Sequence, residues 1–84
     1  MRAYKFKLLT DSIKQAMLIQ LEQRDILFAF NGDAVIFSCS PMDRAVVLME
    51  SKAHLGGDKA NALSRVVTNE DHQLLADKTN VKFI

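Results

Sequence analysis

The chain predicts an α+β fold of the ferredoxin-like, split βαβ kind, and three observations carry that reading. First, the hydrophobic patterns along its 84 residues run strand, helix, strand, strand, helix, two short helices, strand. Second, the middle strands are joined by Asn31-Gly32, a pair that tolerates the positive φ of a tight hairpin turn. Third, the hairpin runs straight into Ser40-Pro41-Met42-Asp43: a capping serine, a proline where the first-turn N–H has no helical partner, and an acid in the first turn. This order predicts a four-stranded antiparallel sheet with helices on one face and extra short helices before the last strand. The first and third strands are then central, and the last pairs with the first.

Each element has its own signal. From Arg2 to Leu9 the chain alternates, with Tyr4, Phe6 and Leu8 to one side and Lys5 and Lys7 to the other. Thr10, Asp11 and Ser12 all suit a helix cap. The helix they start carries Ile13, Ala16, Met17 and Leu21 as its core stripe and ends near Arg24. Ile26, Phe28 and Phe30 alternate into the turn, and Val35, Phe37 and Cys39 alternate out of it.

The second helix is expected from Pro41 to about Leu55. Met42, Ala45, Val46, Met49 and Ala53 form its core stripe, and Gly56-Gly57 ends it. Asp58 caps a short third helix with Ala62, Leu63 and Val66 inward. Thr68-Asn69-Glu70-Asp71 starts another that offers only Leu74 and Leu75 to a core. A turn at Thr79-Asn80 leads to a last strand, Val81 to Ile84.

A chain of this length makes one domain, residues 1–84, with a modest core. Yet 49% of its residues are hydrophobic, which points to apolar surface reserved for a partner. The net charge of +1 gives no electrostatic case for nucleic acid or an anionic membrane. No apolar run approaches the roughly 20 residues that cross a bilayer. A single cysteine and an alternating, basic start suggest a reducing, cytoplasmic setting.

Chemistry-bearing constellations are sparse. Cys39, His54 and His72 show no metal-ligand spacing, so no metal or cofactor is expected. Cys39 precedes a helix N-terminus, which lowers a thiol pKa, but it shares a face with Val35 and Phe37, which implies burial. Asp43, Glu50 and His54 share one side of the second helix, the ordinary make-up of a solvated face. Gly56-Gly57-Asp58-Lys59 reads as a helix stop followed by a cap.

What remains is a surface. If Phe28 and Phe37 face the helices, then Leu27, Ala29 and Ile36 lie on the other sheet face with Lys5, Lys7 and Lys82. Ile19, Val47 and Leu48 fall off the expected helix stripes. These nine residues are the expected interaction residues, through either the helix patch or the sheet face, of a small, non-enzymatic interaction or regulatory module that pairs as a homodimer or binds another protein. The alternative is a nucleic-acid-binding module using the basic sheet face. It lacks the outward aromatic residues on which bases stack. An enzyme with a site formed between subunits, using Cys39 or the Glu50/His54 side, is the third reading.

Overall fold

The first helix forms where Thr10, in extended backbone, accepts the Ile13 N–H on its hydroxyl. It ends where Asp25 takes a left-handed conformation (φ 52°). There the Ile26 N–H returns to the Leu21 carbonyl and the Asp25 N–H to that of Glu22. This is a Schellman motif with an aspartate in the place glycine most often fills. The computed structural model describes residues 1–53 and 61–82, the last four of these as backbone. Its elements are β1 (Arg2–Leu8), α1 (Asp11–Gln23), β2 (Leu27–Asn31), β3 (Ala34–Cys39), α2 (Pro41–Glu50), β4 (Ala62–Arg65) and α3 (Asn69–Lys82).

The protein is α+β, with one four-stranded antiparallel sheet and three helices among the described residues. The strand order is β2-β3-β1-β4. The expected hairpin forms, but its two-residue loop is Gly32-Asp33 rather than Asn31-Gly32. Asn31 ends β2 paired with Ala34, and Gly32, first in the loop, takes the positive φ (62°). In register, Tyr4 stands opposite Phe37, Phe6 opposite Val35 and Ser64, and Phe28 opposite Phe37.

Alternation divides the sheet cleanly. Phe6, Leu8, Val35, Phe37, Cys39 and Ala62 pack with Ile13, Met17 and Leu21 of α1 and with Val47 and Leu48 of α2. Tyr4, Phe28 and Phe30 flank this main core. Ala29 and Ile36 are buried on the opposite face, under Leu74 and Leu75 of α3.

Four further expectations are corrected. The segment read as a short third helix contains β4, in which Ala62, Leu63, Ser64 and Arg65 pair with β1. So short an apolar run is ambiguous by periodicity, and ladder hydrogen bonds to β1 decide it. The last strand expected at Val81–Ile84 is replaced by the end of α3, which spans residues 81 and 82; residues 83 and 84 lie outside those described. The helices do not share one face, because α3 covers the second.

The fourth correction is the extent and register of α2. It stops at Glu50, and Lys52 takes the left-handed position (φ 59°) while the Ala53 N–H bonds to the Leu48 carbonyl. The expected stop at Gly56-Gly57 and the cap at Asp58 lie outside the described residues. Val47 and Leu48 face the core, whereas Met42, Ala45 and Met49 face out. The chain enters α2 directly from β3 through the Ser40 cap, whose hydroxyl accepts the Asp43 N–H. That entry and the Leu48–Ala53 closure orient the helix, and an alternative apolar stripe at ideal spacing is left outside.

Candidate interaction surface

Neither of the two expected patches, on the helices or on the sheet face, survives intact in the fold. Val47 and Leu48 belong to the main core. Ala29 and Ile36 are buried beneath α3, and half-buried Leu27 packs beside them. All four buried positions are therefore corrected as interaction residues: no partner reaches them while the helices are in place. Ile19, half exposed on the outer side of α1, stays available. Lys82 lies in α3, and its side chain is outside those described.

The two sheet lysines are engaged. The Lys5 ammonium sits 2.9 Å from the Asp71 carboxylate, with 16% of the lysine side chain exposed and none of the aspartate's. Asp71 also accepts from the Asn31 amide at 2.9 Å and from the Thr68 N–H at 2.8 Å. The Thr68 hydroxyl in turn accepts the Asp71 N–H at 3.2 Å. Thr68 and Asp71 thus form a reciprocal cap at the start of α3. Burial by itself raises the Asp71 carboxyl pKa, but the bonds from Asn31, Thr68 and Lys5 outweigh it and hold it well below the ordinary range. Lys7 lies 3.5 Å from Asp33 across the hairpin end.

The exposed apolar surface is elsewhere. Met42 and Met49 on α2 are 77% and 68% exposed, one helical face apart by seven residues, with exposed Ala45 and half-buried Val46 between them. Sequence reasoning named these residues but placed them in the core. The available signal was that α2 carries apolar residues on two opposite faces, Met42/Ala45/Val46/Met49 and Val47/Leu48. A helix of that composition packs one face and leaves the other for solvent or a partner.

Among the described residues the catalytic candidates are not brought together. Cys39 is buried, and its thiol pKa is pushed up by that burial and by Asp43, against the opposing pull of Arg44 and the N-terminus. Such a thiol is a poor nucleophile. Glu50 ends α2, so the helical spacing expected between it and His54 does not continue; His54 is outside the described residues.

Two open clefts exist among the described residues. One, about 540 Å³, lies between the start of α1 and the hairpin, bounded by Asp11, Lys14, Phe30 and Asp33. The Lys14 ammonium stands 4.9 Å over the Phe30 ring there. The other, about 360 Å³, lies beside Arg24, Ser38, Cys39 and Asp43. In the second cleft Cys39 and Asp43 are neighbours, but burial and the carboxylate both push the thiol toward its protonated form, so it is not an activated nucleophile. Among the described residues no three histidine, cysteine or acidic side chains gather to hold a metal, and no helix is long and apolar enough to cross a membrane.

Compared with known proteins, the chain matches no family model, no curated protein and no solved structure.

Proposed function

We propose that this protein is a non-enzymatic interaction module that pairs with a second copy of itself through the outward face of α2. The observation that carries the reading is the exposed Met42–Ala45–Met49 face, on a helix whose other side is fully engaged in the core. Exposed apolar side chains in one row favour contact with another apolar surface. Methionine adapts its shape to such a contact at small cost. A two-fold pair buries the same face on both copies, and Ile19 on α1 extends the apolar exposure of the helical layer. The basic sheet face gives little support to nucleic-acid binding, because Lys5 and Lys7 are both paired with aspartates.

The finer architecture belongs to the same proposal. A ferredoxin-like split βαβ body over β1-α1-β2-β3-α2-β4 is supported by the hairpin and by the central place of β1 and β3. α3 is an addition to it.

Sedimentation equilibrium of the parent and of Met42→Lys/Met49→Lys tests the pairing. The parent is expected to dimerise at micromolar concentration, and the variant to sediment as a folded monomer. A parent that stays monomeric at every accessible concentration overturns the reading.

A further inference from the structure

We propose that α3 is a releasable cover: a helix that leaves the second sheet face as a unit while the rest of the protein stays folded. The main core is closed without it. Phe6, Met17, Leu21, Val35, Phe37 and Val47 are buried among β1, β3, α1 and α2, and none of the described α3 side chains belongs to that cluster.

The attachment of α3 is narrow by comparison. Among its described side chains, the apolar contacts with the sheet come from Leu74 and Leu75. Asn69, Glu70, His72, Gln73, Ala76, Asp77 and Lys78 are exposed. The third point of attachment is polar: Asp71, buried between Lys5 of β1 and Asn31 of β2. A carboxylate withdrawn from water is stable only while its partners surround it. Partial separation leaves Asp71 and Lys5 badly solvated, whereas full separation returns both to water. Docking of α3 is therefore two-state in character, which is the property a switch requires.

The tether permits the motion. α3 follows β4, at one edge of the sheet, yet it packs on β2 and β3 at the other side. Val66, Val67 and Thr68 make the crossing, with Val66 82% exposed and Thr68 exposed. Val67 is half-buried against the Ala29, Ile36 and Leu75 cluster and must come away with α3, whereas the β1–β4 ladder ends earlier, at Arg65, and is left undisturbed. Release uncovers Ala29 and Ile36, with Ala3 and Leu27 beside them, as an apolar strip on an otherwise intact sheet.

Native-state amide hydrogen exchange on the full chain tests this, because it resolves openings that are smaller than global unfolding. The amides of residues 73–78 are expected to exchange at least about tenfold faster than the slowest amides of β1 and β3. Asp71→Asn is expected to speed the α3 amides about tenfold further. The slowest β1 and β3 amides, which open only with the whole fold, speed by no more than that factor and keep their separation from α3. Asn31→Ala, which removes one hydrogen bond and no charge, gives the same pattern at smaller size if Asp71→Asn fails to fold. A single shared rate for α3 and the sheet, in the parent and in either variant, overturns the proposal.

Discussion

On the sheet face under α1 and α2, the Phe6 and Phe37 rings lie 5.7 Å apart and Tyr4 stands 5.9 Å from Phe37, within a continuous apolar core. On the face under α3, Ala29 and Ile36 meet Leu74 and Leu75 with Ala3, Leu27 and Val67 beside them, and the buried Asp71 adds polar contacts to Lys5 and Asn31. The first face is held by area and shape, which are non-directional and tolerate small movements. The second is held by a few directional contacts that work only in one geometry. The difference teaches that one sheet can carry a permanent layer and a conditional one. Alternation within each strand keeps the two chemistries on separate sides.

The largest test removes the centre of the first face. Phe37→Ala leaves a cavity where two aromatic neighbours met and should cost about 3–5 kcal/mol. Urea denaturation is expected to show one cooperative loss of the whole fold. A loss below about 1 kcal/mol breaks the claim that this face dominates stability.

A smaller test isolates the second face by acid. Asp71, held by Asn31, Thr68 and Lys5, stays ionised in the folded chain at pH values where an unfolded aspartate, near 3.9, takes up a proton. The folded state then binds fewer protons than the unfolded one. The contribution of Asp71 is therefore complete above the unfolded value and falls as pH drops below it, reaching a loss of about 1 kcal/mol by pH 3. Urea midpoints at pH 6 and pH 3 should fall further for the parent than for Asp71→Asn. Equal falls break the comparison.

The smallest expected effect lies outside both faces. Met49→Asp, on the exposed side of α2, should change monomer stability by less than about 0.5 kcal/mol. The same substitution in a core register would bury an unpaired charge and prevent folding. Thermal melting of variant and parent at concentrations too low for pairing thus decides which side of α2 is inward.

Local signals were legible where chemistry is local. The caps at Thr10 and Ser40 and the glycine at Gly32 act within a few residues, and all stand where the sequence placed them. The alternation that put Phe6 and Phe37 on one face and Ile36 on the other was equally readable. The candidate surface was not. Its residues were sound as apolar positions, but Val47, Leu48, Ala29 and Ile36 all proved to have neighbours far along the chain.

By itself the sequence determined the element types up to α2, the hairpin and the two-sidedness of the strands, because these follow from backbone sterics and a period of two. Only the tertiary structure decided which apolar face of α2 turns inward. It alone showed that Ala62–Arg65 is a strand, and that Asp71 reaches across the sheet to Lys5 and Asn31. Each of those outcomes depends on partners tens of residues away. A four-residue apolar run or a helix with two apolar sides has no preference strong enough to settle the matter before those partners arrive.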